Sequence, residues 1–191
     1  MKEMVFDFRH NTNPPPPVII KGAAVKRVSS IEYLGVILNN SLTWDDHVDA
    51  LIKKLNSRLY CLRKMSNFNV RPEILEMFYT ATISGVWRYC LICWGGNVIK
   101  SEKDRIDGIR KKAERVIGSS QPSVDSTYQC LLQCKLDTVW EDCNHPLHDQ
   151  LLDSRINRGI GRLRLPCLKT NRHRNSFIPR AIKLFNDTLL R

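Results

Sequence analysis

The spacing of apolar residues changes near residue 41, and this change constrains the fold more than any other feature of the chain. Before it, residues 3–9 alternate between apolar and polar side chains, a pattern typical of a half-buried strand. After it, apolar residues from Val48 to Leu62 recur at helical spacing. The sequence therefore predicts an α+β fold that is mostly α, with a small antiparallel β-sheet at about residues 3–38 followed by a helical bundle.

The predicted sheet consists of short strands separated by turns. The proline tract at residues 14–17 cannot join a strand ladder, because proline has no backbone N–H to donate. A tight turn is expected at Lys21 and Gly22, with strands on both sides, and the last strand is expected at residues 31–38.

The predicted helices are bounded by local signals. Thr43 with Asp46 is similar to a capping box and predicts the start of the first helix. Pro72 suits the first turn of a second helix. The similar pair Ser101 and Asp104 predicts the start of a third.

Further signals divide the chain. Gly118 ends the third helix, and a fourth is expected at about residues 124–140. We expect three regions: a small sheet at 1–40, a helical bundle at 41–120, and a C-terminal helical segment with a basic arm at 121–191.

The chain carries a net charge of +11, and this charge is unevenly distributed. Residues 51–120 carry 14 basic and 6 acidic side chains, and residues 155–191 carry 10 and 1. The intervening residues 121–154 carry 1 and 6. Concentrated positive charge favours a polyanionic partner, because each phosphate contact releases a condensed counterion. The alternatives are an acidic membrane surface and solubility alone.

The candidate nucleic-acid-binding residues are the lysines and arginines on the outer faces of two predicted helices and in the C-terminal arm. They are Lys53, Lys54, Arg58, Lys64, Arg110, Lys111, Lys112, Arg115, Arg155, Arg158, Arg162, Arg164, Arg172 and Arg174. Such side chains contact phosphates largely without reading sequence.

The cysteines and the most apolar stretch bear on where the protein resides. Seven cysteines without a signal peptide form no evident disulfide framework, and Cys61, Cys90 and Cys93 are expected to be buried thiols. We expect a nuclear or cytoplasmic protein that is not secreted. The stretch at 78–99 carries Arg88 near its centre, which favours a buried helix over a membrane span.

A cluster of potential zinc ligands lies in the acidic bridge. The residues are Cys130, Cys134, Cys143, His145 and His148. Zinc requires four converging ligands, and two cysteines one helical turn apart form a workable pair. The irregular spacing of the remaining ligands favours capped or buried side chains, so no metal site is predicted.

Several short segments, in order along the chain, resemble the end of a LINE-type, non-LTR retrotransposon reverse transcriptase. They are Lys2-Glu3-Met4, Tyr33-Leu34-Gly35-Val36, Leu59–Arg63, Phe78–Thr80, Trp94–Asn97, His145–His148 and Asn175–Ile182. The resemblance implies the palm end, the thumb and the C-terminal tail of such a polymerase. It also implies that Tyr33, Leu34 and Gly35 form a hairpin like the one that grips the primer end.

The resemblance sets further expectations. In the family the paired catalytic aspartates lie upstream of the matching region, so the chain is expected to bind nucleic acid without catalysing polymerisation. No cofactor is expected, since Mg²⁺ is implied only for the intact polymerase. The expected partners are RNA or an RNA/DNA duplex and an upstream polymerase domain, with no membrane.

A second resemblance covers about residues 49–87, which look like the N-terminal module of AlkB homologue 8, a tRNA-modifying protein with 2-oxoglutarate dioxygenase and methyltransferase activities. The alternative function is therefore a module of such an enzyme. His47-Val48-Asp49 has the His-x-Asp pattern of an iron site, but it falls where a helix is expected to start. A further alternative is a non-functional, decayed reading frame.

Overall fold

The computed structural model describes residues 1–8, 15–152 and 163–188. It confirms the predicted fold class, with short strands in small sheets followed by a mostly helical body. The strands are β1 (Lys2–Glu3), β2 (Ile19–Ile20), β3 (Ala23–Ala24), β4 (Lys26–Arg27), β5 (Ser30–Tyr33) and β6 (Val36–Asn39).

These strands form three two-stranded ladders. The β2–β3 and β5–β6 ladders are antiparallel, whereas β1 pairs with β4 in parallel. Side chains fix the parallel pair, because Arg27 Nε donates to Glu3 Oε1 at 2.7 Å and Val18 N donates to Glu3 Oε2 at 2.9 Å. Of the strand predicted at residues 3–9, only Glu3 lies in a strand among the described residues 3–8, so the strand there is shorter than predicted, and Arg9 lies outside the described residues.

The two antiparallel hairpins share one turn geometry. Lys21 and Gly22 have φ values of 50° and 78°, and Leu34 and Gly35 have 48° and 78°. Positive φ at both central residues defines a type I′ turn, whose twist matches that of the flanking strands. The tight turn predicted at Lys21 and Gly22 is confirmed.

A π-helix, Tyr79–Ser84, lies between the α-helices of the helical body. The α-helices are α1 (Asp45–Asn67), α2 (Pro72–Phe78), α3 (Gly85–Arg88), α4 (Leu91–Trp94), α5 (Lys100–Ile117), α6 (Val124–Glu141), α7 (His148–Leu152), α8 (Asn171–Arg174) and α9 (Phe177–Thr188). Pro72 begins α2 and Gly118, at φ 74°, ends α5, as predicted.

Both predicted capping boxes are wrong. Helix α1 follows Trp44, with no side-chain cap, and Thr43 Oγ1 instead accepts a hydrogen bond from Asn39 Nδ2 at 2.7 Å. Helix α5 follows Ile99, also without a side-chain cap, so Ser101 lies inside the helix.

The core lies between α1, α5 and the segment from α2 to α4. Its largest fully buried side chains include Leu55, Trp87, Trp94 and Ile106. Helices α6 and α9 extend this core, contributing Tyr128 among others. In the described ranges, no helix has the length and apolar character needed to cross a bilayer.

The cysteine prediction is wrong for two thiols. Cys61 and Cys93 are exposed and Cys90 is half-buried, and all seven cysteines are free. Cys61 lies on the solvent side of α1, so its place among apolar residues in the sequence did not determine its burial.

Two glycines after α4 allow the C-terminal region to approach closely. A Cβ on Gly96 would lie 2.3 Å from the backbone oxygen of Asn175, and one on Gly95 would lie 2.7 Å from the backbone oxygen of Leu91. Glycine is therefore required at Gly96, where Asn175 between α8 and α9 packs onto this segment, and at Gly95, where the last turn of α4 leaves no room for a side chain.

Candidate nucleic-acid interface

A groove of about 550 Å³ lies between the β5–β6 hairpin, α1 and the segment from α2 to α3. It joins elements that are far apart in sequence, including Gly35 of the hairpin, Lys54 and Arg58 of α1, and Thr82 of the π-helix. One of the three primer-grip-like residues and two of the predicted basic residues therefore line the same groove.

A tertiary hydrogen bond holds the tip of the hairpin wall. Tyr89 Oη donates to the backbone oxygen of Leu34 at 2.9 Å. Gly35 lies against the same ring, since its missing Cβ would be 3.5 Å from Tyr89 Cε1. The side chains of Tyr33 and Leu34 are 62% and 73% exposed, so the tip presents apolar surface to solvent.

The opposite wall is the cationic side of α1. Lys54 and Arg58 are one helical turn apart, and the Arg58 guanidinium donates to the backbone oxygen of Thr82 in the π-helix. Thr82 Oγ1 in turn donates to the backbone oxygen of Phe78 at 2.7 Å. Insertions of π-helix occur frequently at functional sites, and here the insertion orients the arginine that lines the groove.

A buried histidine forms part of the groove lining. His47 Nδ1 accepts from Ile37 N at 3.4 Å, and its ring packs edge-on against Trp94 with centroids 5.3 Å apart. Burial lowers the pKa of His47, and the positive charge of Lys54 lowers it further. His47 is therefore neutral at neutral pH, and the positive charge of the groove comes from α1.

The other predicted cations of α1 and α5 lie outside the groove. Lys53 and Lys64 are exposed on α1, and Lys64 Nζ lies 5.6 Å from the centre of the Tyr60 ring. Lys111, Lys112 and Arg115 are exposed on α5. Within the described residues, no carboxylate lies within ion-pair distance of these cations or of Lys54.

Arg110 is buried and forms hydrogen bonds within the protein, whereas the sequence predicted it on the outer, solvent-facing side of the helix. Its Nε donates to Asp107 Oδ1 at 2.6 Å, and its Nη1 donates to Glu114 Oε1 at 2.5 Å and to the Gln121 backbone oxygen at 2.7 Å. The side chain is only 8% exposed. Arg110 joins α5 to the start of α6 and is not available to a phosphate.

The C-terminal cations are placed in several ways. Arg172 Nη2 donates to the Ser41 backbone oxygen at 2.5 Å, and its guanidinium lies 4.2 Å from the centre of the Phe8 ring. Arg164 and Arg174 are exposed and line separate cavities. The predicted residues Arg155, Arg158 and Arg162 lie outside the described residues.

The potential zinc ligands do not converge. His145 Nδ1 accepts from Leu147 N at 3.1 Å, its Nε2 lies 2.9 Å from Lys135 Nζ, and His148 Nδ1 lies 2.9 Å from the Val139 backbone oxygen. Cys130, Cys134 and Cys143 are exposed. Across the part of the chain that the structure describes, no three His, Cys, Asp or Glu side chains are arranged to hold a metal ion.

The two side chains of the His-x-Asp pattern also make contacts within the fold. His47 packs into the core, as described, whereas Asp49 forms an ion pair with Arg105 at 2.7 Å. The pattern lies in the first turns of α1, as the sequence predicted, and its two side chains make unrelated contacts.

Sequence analysis did not single out His47, Thr82 and Tyr89 as groove residues. No local signal in the sequence predicts the π-helix that contains Thr82. The bond from Tyr89 to Leu34 spans 55 residues, so neither sequence segment indicates it alone.

Comparison with known proteins confirms both resemblances. A family profile described as "Alkylated DNA repair protein alkB homolog 8, N-terminal" matches residues 44–84. The "Probable RNA-directed DNA polymerase from transposon X-element" of Drosophila melanogaster is 27% identical over 160 residues, covering 82% of this chain and 17% of the relative. The corresponding protein from transposon BS is 27% identical over 105 residues, covering 53% and 11%.

The chain thus spans less than a fifth of the length of these relatives. No solved structure matches it significantly. The chain is similar over most of its length to non-LTR retrotransposon reverse transcriptases, and over its first helices to the N-terminal module of alkB homologue 8.

Proposed function

We propose that the chain binds RNA or an RNA/DNA duplex in the groove between the β5–β6 hairpin and α1, as the thumb-like part of a retrotransposon reverse transcriptase. The observation that carries the proposal is the convergence on this groove of Gly35 with Lys54 and Arg58. The similarity to RNA-directed DNA polymerases supports nucleic acid as the ligand class.

The electrostatics of the groove support phosphate contacts. Lys54 lines the groove, and its neighbour Lys53 lies just outside it on α1. Neither has an acidic partner among the described residues, so a phosphate contact would not require an existing ion pair to break. Arg58 is held by the backbone oxygen of Thr82, which reduces the conformational entropy lost on binding. The exposed tip at Tyr33 and Leu34 would contact the ligand beside these cations.

The proposed role is binding without catalysis. The paired aspartates and the Mg²⁺ that they hold belong to the intact polymerase, and the partner of this chain is the polymerase domain of that longer protein. Backbone contacts give affinity with little sequence selectivity, so duplex form is expected to matter more than base sequence.

The test is fluorescence anisotropy with a labelled RNA/DNA hybrid over a range of salt concentrations. The variant pair Lys53→Gln and Lys54→Gln should weaken binding about tenfold at low salt, and the log–log salt slope should fall by about 2. The matched control is the pair Lys2→Gln and Lys26→Gln. These exposed lysines face each other across β1 and β4 and do not line the groove.

The control distinguishes binding in the groove from a general attraction of the duplex to a basic protein. Equal losses in both double variants would mean that net charge alone attracts the duplex. An affinity independent of salt would contradict phosphate binding altogether.

The match to the alkB homologue 8 module covers α1, α2 and the π-helix, which form one wall of the same groove. The alternative function, a module of a tRNA-modifying enzyme, would place tRNA there. Unlabelled tRNA added as a competitor tests this alternative, since it should then displace the hybrid at a lower concentration than unlabelled hybrid does.

A further inference from the structure

A second cavity lies on the C-terminal side of the molecule, bordered by α6, α8 and α9. Its volume is about 330 Å³. Three cationic side chains line it, namely Arg174, Arg180 and Lys183, together with one carboxylate, that of Asp187. A water molecule takes roughly 30 Å³ of liquid volume, so the cavity has room for a hydrated phosphate group.

The central cation, Arg180, is held in place by the fold. Its Nη2 donates to the Gly96 backbone oxygen and to Asn175 Oδ1, both at 3.1 Å. Its guanidinium lies 5.4 Å from the centre of the buried Tyr128 ring. Both of these hydrogen bonds use Nη2, and the planar guanidinium suits a phosphate.

The other two cations share the cavity with the carboxylate of Asp187, which lies one helical turn after Lys183. Arg174 and Lys183 are exposed and form no ion pair within the described residues. Three positive charges and one negative charge face the cavity, so an anion bound between the cations reduces their remaining repulsion. The amides of Gln129 and Asn175 also line the cavity and can donate to oxygen.

We propose that this cavity is a phosphate-binding pocket in which Arg180 is the fixed ligand and Arg174 and Lys183 are the mobile ones. The phosphate belongs either to a nucleic-acid backbone or to a free phosphate compound. Only the first source rests on the function proposed above. The pocket lies apart from the α1 groove, since the two share no lining residue.

The test is calorimetric titration of the full chain with inorganic pyrophosphate at constant ionic strength. The variant pair Arg174→Gln and Lys183→Gln should bind pyrophosphate at least fivefold more weakly than the wild type. The pair Lys2→Gln and Lys26→Gln, which removes the same charge elsewhere, should leave this affinity unchanged. Arg180 is left intact because its substitution would also remove the contacts that hold α9.

A thermal melt provides a second measurement. Saturating pyrophosphate should raise the wild-type Tm by at least about 2 °C, and the rise should be absent in the Arg174→Gln and Lys183→Gln pair. Equal pyrophosphate affinity in all three proteins, or no binding to the wild type, would overturn the proposal.

Competition identifies the source of the phosphate. Displacement of pyrophosphate by a short single-stranded oligonucleotide supports the pocket as a backbone site, and displacement by inorganic phosphate alone supports it as a site for a free compound. Because pyrophosphate binding does not involve Lys53 or Lys54, it can succeed or fail independently of hybrid binding in the groove.

Discussion

Helices α1 and α5 both carry rows of cations, but the fold uses them differently. On α5, Arg110 is buried between Asp107 and Glu114, and Arg105 pairs with Asp49 across the interface with α1. On α1, Lys53 and Lys54 have no such partner among the described residues. A count of basic residues on a helix therefore does not locate a binding surface, because some of these residues hold the fold together.

The largest effect is expected from Arg110→Met. This change removes the cation that pairs with both Asp107 and Glu114 in a partly buried site. We expect the free energy of unfolding to fall by about 3 kcal/mol, measured by urea denaturation. The exposed neighbour Lys111→Met is the control and should change it by less than about 0.5 kcal/mol. Equal effects would mean that Arg110 is no more structural than its neighbour.

A smaller effect is expected at the turn opposite α1. Gly35→Ala places a Cβ on a residue with φ 78°, which should cost about 1–2 kcal/mol of stability and disturb the groove wall. Gly22→Ala makes the same change at the same φ in the other hairpin, where nothing lies within 4 Å. Denaturation should show similar losses for both, whereas anisotropy should show weaker hybrid binding only for Gly35→Ala.

Lys54→Gln tests most directly whether a cation of α1 serves binding and not the fold. Lys54 and Arg58 are like charges four residues apart on α1, so removing one should stabilise the protein by about 0.2–0.5 kcal/mol. Urea denaturation measures this gain in the free energy of unfolding, and anisotropy measures the accompanying loss of hybrid affinity. A loss of stability would show that Lys54, like Arg110, supports the fold.

The smallest effect concerns pH. Burial, and then Lys54, lowers the pKa of His47 from its ordinary value of 6.5. The folded protein therefore binds fewer protons at this site than the unfolded chain, and stability should fall as pH drops below about 6.5. Denaturation at several pH values should show this slope in the wild type and a weaker slope in His47→Gln. Lys54→Gln should reduce the slope only in part.

The sequence predicted those features that depend on nearby residues. Helical periodicity located α1, α5 and α6. Pro72 and Gly118 marked helix ends correctly because their backbone preferences are intrinsic.

Features that depend on distant residues were not predictable in the same way. The parallel pairing of β1 with β4 depends on Glu3 and Arg27, 24 residues apart. The acidic neighbours of Arg110 at helical spacing were readable in the sequence, but its burial comes from the packing of α6 against α5. Thr43 does not cap α1, since the helix begins after Trp44 and the Thr43 hydroxyl accepts from Asn39 instead.

The close packing at Gly96 bears on the order in which the molecule assembles. Arg180 reaches the Gly96 oxygen across 84 positions, and the Asn175 backbone lies against the same glycine. Helix α9 can therefore reach its final position only after α4 and α6 have formed the surface that receives it. Long loops close slowly, so we expect α9 to join last during folding and to open first in the native protein. Its amide hydrogens should exchange with solvent sooner than those of α1, although both helices contribute to one continuous core.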